Sequence, residues 1–178
     1  ILDPENKAAH MDALRFKVMM TSMTDQPEEV ITATKEVLLL AEKHPGILNF
    51  DALSDVKCLQ AEAYLNCSKW NKAGKIYESL IREYLQLRED PNDLVYMGCS
   101  RAYYELQQYD KAIEIGNLAV EDARFRLGVH KYVALSQKAL GDIDEAKKTI
   151  THAILYEEHW HEDNLQKNKQ LLRELNNL

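Results

Sequence analysis

One short segment of the sequence gathers side chains that could bind a metal ion. His159 and His161 flank Trp160, and three glutamates lie close by, at Glu157, Glu158 and Glu162. Two histidines at positions i and i+2 of a helix point about 200° apart, whereas a zinc-binding pair at i and i+4 shares one face. We therefore interpret this segment as the end of a helix whose tryptophan packs against a neighbour, and we predict no metal site there.

The three cysteines offer little chemistry. Cys58, Cys67 and Cys99 are odd in number and lack the C-x-x-C spacing of zinc and redox sites. A chain of this length does not need disulfides for stability, so reduced thiols in a cytoplasmic protein are the expected state. The sequence also lacks a glycine-rich phosphate loop and the G-x-S-x-G and H-E-x-x-H motifs. We predict neither catalysis nor a bound cofactor.

Charge and hydropathy narrow the classes of partner. The chain has 178 residues, with 22 basic against 29 acidic side chains and a formal net charge of -7. This balance argues against nucleic acid, because phosphate binding needs a concentrated positive surface. No apolar run approaches the roughly 20 residues that a membrane helix requires, so we expect no membrane insertion. The opening "ILDPENKAAH" has neither an initiator methionine nor a signal-peptide pattern, which suggests a fragment of a longer protein.

The local sequence signals predict an all-α protein. Helix-forming residues dominate, glycines number only six and prolines four, and no segment alternates apolar and polar residues as a strand would. Breaks such as "TDQP", "HPG", "EDPND" and "LGD" separate about nine helices with very short connections. Short connections force successive helices to lie antiparallel, as helical hairpins.

A four-residue pattern recurs at a nearly fixed interval. The quartet "YDKA" at 109–112 returns 34 residues later as "IDEA" at 143–146, and it stands 39 residues after "WNKA" at 70–73. A period of this length is typical of repeated helical hairpins. The second residue of each quartet is an acceptor or acidic type that suits the first turn of a helix: Asn71, Asp110 and Asp144. Each quartet therefore predicts the start of the second helix of a hairpin.

Small residues stand where the two helices of a hairpin would approach most closely. They are Ala61, Ser100 and Ala134 in the first helices and Ala73, Ala112 and Ala146 in the second helices. Close helix crossing needs short side chains at the contact and larger ones around it. The first residue of each quartet, Trp70, Tyr109 or Ile143, is predicted to fill the turn between the helices.

These features together resemble the tetratricopeptide repeat (TPR) family. The best-matching unit, "DLVYMGCSRAYYELQQYDKAIEIGNLAVED", carries the expected residue types at Tyr96, Ser100, Tyr103, Tyr109, Ala112 and Ala119. It departs from the family pattern at Gly116, where a large aromatic residue is usual, and at Gln107, where glycine is common. The units on either side match at fewer positions but in the same phase.

The resemblance implies an α-α superhelix, a TPR-like solenoid forming a single array over 1–178. We expect about four antiparallel helical hairpins and a C-terminal capping helix. The predicted divisions are a degenerate hairpin at 5–53, repeats at 54–92, 93–126 and 127–160, and the cap at 161–178. The cap is suggested by four leucines on one helix face: Leu165, Leu171, Leu172 and Leu175.

The resemblance also implies a protein-protein interaction scaffold or adaptor, which binds a peptide or helix of a partner in a concave groove. The repeat register places nine residues on the groove wall: Cys58, Glu62, Leu94, Met97, Arg101, Tyr104, Lys131, Leu135 and Lys138. Three of them, Arg101, Lys131 and Lys138, form a basic strip, which suits a partner with acidic groups. The apolar members would serve as anchors.

One ligand of the family is disfavoured. Some co-chaperone members clamp the C-terminal carboxylate of heat-shock chaperones with lysine, asparagine and arginine at fixed first-helix positions. The matching positions here are Cys58, Glu62, Gly98, Gly128 and Tyr132, none of which could make that clamp.

Three alternatives stay open at this point. The charged groove residues could be ordinary solvated side chains, with the apolar ones packed on neighbouring helices. The chain could instead be a structural module that self-associates into a homo-oligomer. It could also be the regulatory repeat region of a larger enzyme.

Overall fold

The computed structural model describes residues 4–24, 26–120, 128–157 and 162–178. Within these ranges every regular element is an α-helix, which confirms the all-α prediction. The helices are α1 Pro4–Ser22, α2 Pro27–Lys43, α3 Phe50–Asn66, α4 Trp70–Leu87, α5 Asp93–Glu105, α6 Tyr109–Val120, α7 Val129–Leu140, α8 Ile143–Glu157 and α9 Glu162–Asn176.

The quartets mark helix starts as predicted, because α4, α6 and α8 begin at Trp70, Tyr109 and Ile143. The first helices begin with side-chain caps where the sequence supplies an asparagine. Asn49 Oδ1 accepts a hydrogen bond from the Ala52 N–H at 3.0 Å, and Asn92 Oδ1 accepts one from the Val95 N–H at 3.2 Å. Since α3 begins at Phe50, its first turn lies in the segment that the sequence assigned to the preceding hairpin.

The turns inside the three predicted repeats share one backbone geometry. Ser68, Gln107 and Gly141 have positive φ values of 55°, 58° and 89°, each two residues before a second helix begins. The next N–H in each turn bonds a carbonyl five residues back, from Lys69 to Tyr64, Gln108 to Tyr103 and Asp142 to Gln137, at 2.8 to 2.9 Å. This is the helix-ending arrangement that favours glycine. The repeat is therefore visible in the backbone as well as in the sequence.

The predicted small contact residues are all buried. Ala61, Ser100 and Ala134, together with Ala73, Ala112 and Ala146, are fully buried. In the central hairpin Ser100 Oγ donates a hydrogen bond to the Ala112 carbonyl at 2.9 Å, so α5 and α6 meet at these two residues.

Gly116 departs from the family pattern for a reason that the packing explains. A Cβ at this position would overlap a methyl group of Val133 and press on Val129, both on α7. Val133 and Val129 therefore occupy the space in which the side chain of a larger residue would lie. A larger residue at Gly116 would therefore require α6 and α7 to move apart.

The chain divides into two compact units, 1–80 and 81–178, with the division inside α4. In the first unit α2 packs on both α1 and α3, around a core that includes Met11, Val18, Ala33, Val37 and Val56. Gln60 Nε2 donates a hydrogen bond to Thr34 Oγ1 at 3.2 Å within this unit, which joins α3 to α2 through two buried polar groups.

In the second unit α5 packs on α6, α6 on α7, α7 on α8 and α8 on α9, and α5 also contacts α7 directly. The capping role predicted for the last helix is confirmed, because Leu171 and Leu175 of α9 join Ala134, Ala146, Ile150 and Ala153 in one buried cluster. The described part of the cap begins at Glu162.

Candidate functional site

Seven of the nine predicted groove residues lie on two neighbouring first helices of the second unit. Four are on α5, namely Leu94, Met97, Arg101 and Tyr104, and three are on α7, namely Lys131, Leu135 and Lys138. The spacing within each set follows the helical period, so each set shares a helix face. The helices α5 and α7 contact each other, and we call the residues of these two sets the α5–α7 face.

A tyrosine cluster lies on the α5–α7 face. The Tyr104 ring centroid stands 6.0 Å from that of Tyr132 and 5.8 Å from that of Tyr109 at the start of α6. Tilted rings at this separation attract one another favourably. The repeat pattern predicts Tyr109 as a turn residue, and it places Tyr132 only at a position of the disfavoured chaperone clamp. The available signal was the density of tyrosines in "RAYYELQQYDK" together with "HKY".

Two of the predicted cations meet at Tyr132. The Lys131 ammonium lies 5.7 Å from the centroid of the Tyr132 ring. Burial raises the pKa of the Tyr132 hydroxyl; the nearby Arg101 charge opposes this rise and Glu105 adds to it. The hydroxyl thus stays protonated and able to donate a hydrogen bond. Arg101, Lys131 and Tyr132 together form a set of donors suited to a carboxylate or phosphate.

The third cation has a different setting. Lys138 Nζ lies 3.7 Å from Glu174 Oε2 on the capping helix, and both side chains are partly exposed. Its charge is therefore offset by an acidic neighbour, and the basic strip is concentrated at its Arg101 and Lys131 end. A partly exposed ion pair of this kind contributes little stability.

The predicted apolar anchors also differ from one another. Leu94 is 61% exposed at the beginning of α5. Met97 is half-buried, and its sulfur lies 2.6 Å from where a Cβ at Gly128 would stand, so it fills space at the entry to α7. Leu135 packs in part against the cluster shared by α7, α8 and α9. Leu94 and the half-buried Tyr104 are the anchors that remain accessible.

The other two predicted groove residues belong to the first unit. Glu62 is exposed and lines a cavity of about 120 Å³ together with residues of α1, α2 and α3. Cys58 is half-buried, and burial with the nearby Asp55 charge raises the pKa of its thiol to about 11. A thiol with such a pKa is protonated at neutral pH and is a poor nucleophile or metal ligand.

The structure describes some of the clamp positions but not the histidine and tryptophan segment. Of the disfavoured clamp positions, Gly98 is buried and Gly128 has a φ of 89° at the start of α7. The histidine and tryptophan segment at 159–161 lies outside the described residues. Elsewhere in the described ranges no three histidine, cysteine or carboxylate side chains group as metal ligands would. None of the described helices has the length and apolarity that a bilayer span requires.

Known structures share this arrangement of helices. The nearly identical TPR-like repeats of a candidate kinesin light chain from Podosopora anserina superpose with a TM-score of 0.69 at 13% identity, covering 94% of this chain and 86% of that chain. A point mutant of MamA gives a TM-score of 0.61 at 17% identity, with 96% and 99% covered. A MamA structure labelled MSR-1 C2 gives 0.60 at 16%, with 94% and 97% covered.

The chain has the TPR-like repeat fold. The repeated turns, the buried small residues and these superpositions agree on it. Neither a family model nor a curated protein sequence matches the chain. At identities of 13% to 17% the likeness concerns the fold, and function has to be argued from the surface.

Proposed function

We propose that this TPR-like chain is a non-enzymatic interaction scaffold or adaptor, whose α5–α7 face binds an acidic segment of a partner protein. The observation that carries the proposal is the meeting of Arg101 and Lys131 at the Tyr104–Tyr132 pair. Two cations and a protonated phenol on one half-buried aromatic surface can orient a carboxylate, while Leu94 offers an apolar anchor about two turns away on α5.

The surrounding charge makes this face selective. The chain as a whole carries a net charge of -7, so an acidic segment is repelled by most of the surface. A local pair of cations then determines where such a segment can bind. The helices already hold these side chains in place before binding. Most of the conformational entropy lost on binding is therefore that of the ligand. We place the protein in the cytoplasm as part of this proposal, since none of its three cysteines forms a disulfide.

Charge reversal tests the proposal. A fluorescent peptide that carries glutamates around one leucine is titrated by anisotropy against the native chain and against Arg101→Glu and Lys131→Glu. Each reversal should weaken binding about tenfold, equivalent to ~1.4 kcal/mol, because it replaces an attraction by a repulsion.

The matched control is Lys35→Glu, which makes the same change in net charge at an exposed position of α2. It should leave the affinity unchanged. If Lys35→Glu lowers the affinity for the peptide as much as Arg101→Glu does, the effect comes from net charge and the α5–α7 face is not the binding site.

A further inference from the structure

Helix α1 carries apolar residues on two opposite faces. Met11 and Val18 are buried in the core that α1 shares with α2. On the other side stand Phe16, Met19 and Met20, and Met23 follows directly after the helix ends at Ser22; the four keep an i, i+3, i+4 and i+7 spacing. All four are exposed, Phe16 by 59% and Met23 by 74%. We call these four residues the methionine stripe.

Two residues of the methionine stripe border a groove between α1 and α3. Phe16 and Met19 line a cavity of about 390 Å³, whose α3 side includes Val56 and Leu59. Leu59 and Ser22 also line the smaller cavity of about 120 Å³, so the two cavities adjoin each other. Along α3 the lining runs from Ala52 to Asn66, which at 1.5 Å per residue is about 21 Å. This length matches roughly four turns of a second helix.

The edges of this α1–α3 groove are acidic. Asp12 and Asp55 line the larger cavity and Glu62 the smaller one, and all three are exposed. Arg15 is the single cation among the described lining residues. The other basic residue of the same α1 turn, Lys17, is paired with Glu36 of α2 at 2.8 Å. The groove therefore combines an apolar floor with a net negative rim.

We propose that the α1–α3 groove binds an amphipathic helix of a partner protein, with large apolar residues on one face and lysine or arginine along its flanks. The cavities accept the apolar side chains, and unbranched methionines adjust to irregular shapes. The rim carboxylates pair with the flanking cations. This groove lies in the first unit, whereas the α5–α7 face lies in the second, and the groove prefers the opposite charge.

A second copy of this chain fits the groove less well. In a two-fold pair each stripe would meet its own equivalent, so Asp12, Asp55 and Glu62 would face the same carboxylates. Like charges brought together in this way oppose association. Charge complementarity thus favours a basic helix over a copy of the chain itself.

The test uses two synthetic helical peptides with identical apolar faces, one flanked by lysines and the other by glutamates. Fluorescence anisotropy against the native chain should show binding of the lysine peptide and at least tenfold weaker binding of the glutamate peptide. The double variant Phe16→Ser, Met19→Ser should lower the affinity for the lysine peptide at least tenfold. Asp55→Asn should lower this affinity by a few fold. Because Phe16 and Met19 are exposed, circular dichroism should show both variants folded.

The control is Leu155→Ser, which removes an equally exposed apolar side chain from α8 in the other unit. It should bind the lysine peptide as the native chain does. The proposal is overturned if the lysine peptide does not bind, if the stripe variant binds it normally, or if Leu155→Ser weakens it equally. It is also overturned if light scattering shows a dimer of the native chain that Met23→Lys dissociates, since a second copy would then cover the stripe.

Discussion

At the scale of single residues, two of the hairpin turns hold a residue other than glycine in the left-handed backbone conformation, which costs free energy of folding. Ser68, Gln107 and Gly141 occupy equivalent positions with positive φ, and only the last is a glycine. A residue with a Cβ pays about 1 kcal/mol or more in the left-handed region, whereas glycine does not. The family preference for glycine at the Gln107 position therefore has a local physical cause.

Gln107→Gly is expected to stabilise the chain by about 1 kcal/mol, because it relieves the left-handed backbone at φ 58°. Urea unfolding followed by circular dichroism would measure the change. The neighbouring substitution Gln108→Gly is the control, since that residue has no positive φ and gains nothing from glycine. Equal stabilisation by both changes would contradict the explanation.

Cys58 gives a prediction about pH. Its thiol has a pKa of about 11 in the folded chain against an ordinary value of 9.0. The folded state therefore keeps this proton at pH values where the unfolded state has lost it. The resulting stabilisation is complete below pH 9 and is lost as the pH rises toward 11. Relative to Cys58→Ser, the native chain should lose free energy of unfolding between pH 9 and 11, as measured by urea titrations under reducing conditions. A relative gain over that interval would show that the sign is wrong.

At the scale of helices, the close approach within a hairpin depends on small side chains and, in the central repeat, on one buried hydrogen bond. Ser100 Oγ reaches across to the Ala112 carbonyl of α6, whereas Ser136 Oγ bonds the Tyr132 carbonyl within its own helix. Both serines are buried, but only the first joins two elements. Comparing substitutions at Ser100 and Ser136 therefore distinguishes how much stability comes from a hydrogen bond between helices and how much comes from a buried hydroxyl.

Ser100→Ala should destabilise the chain by about 1 kcal/mol, because a bond between α5 and α6 is lost. Ser136→Ala should cost less, since a serine bond to its own helix adds little and alanine is the better helix former. Chemical unfolding of the two variants under the same conditions would compare them. A larger loss for Ser136→Ala would rule out this role for Ser100.

At the scale of the whole molecule, a chain with a net charge of -7 carries a local cationic surface in one unit and an acidic groove in the other. The two proposed ligands differ in the source of their affinity. The acidic peptide is attracted mainly by Arg101 and Lys131, whereas the amphipathic helix would bury apolar surface in a cavity of about 390 Å³. Salt acts strongly on the first kind of attraction and weakly on the second.

Raising salt from about 0.1 M to about 1 M shortens the Debye length from ~10 Å to ~3 Å. We expect the affinity of the α5–α7 face for the acidic peptide to fall at least tenfold over this range. The lysine-flanked helix should lose less at the α1–α3 groove. Anisotropy titrations at both concentrations measure the two changes, and an acidic peptide that binds equally at high salt would contradict an electrostatic site.

The amino-acid sequence by itself determined the helices, their hairpin pairing and the repeated turn. These features follow from local signals. Capping residues and turn residues fix the ends of a helix through the adjacent backbone, and the 34-residue period repeats the same signals in each hairpin. Trp70, Tyr109 and Ile143 begin helices, and Ala73, Ala112 and Ala146 are buried, as the spacing predicted. Only the tertiary structure decided which surface residues meet. Tyr132 joins Tyr104, Glu174 reaches Lys138, and α1 faces α3 across a groove, because these contacts depend on where separate helices place side chains that are far apart in the chain.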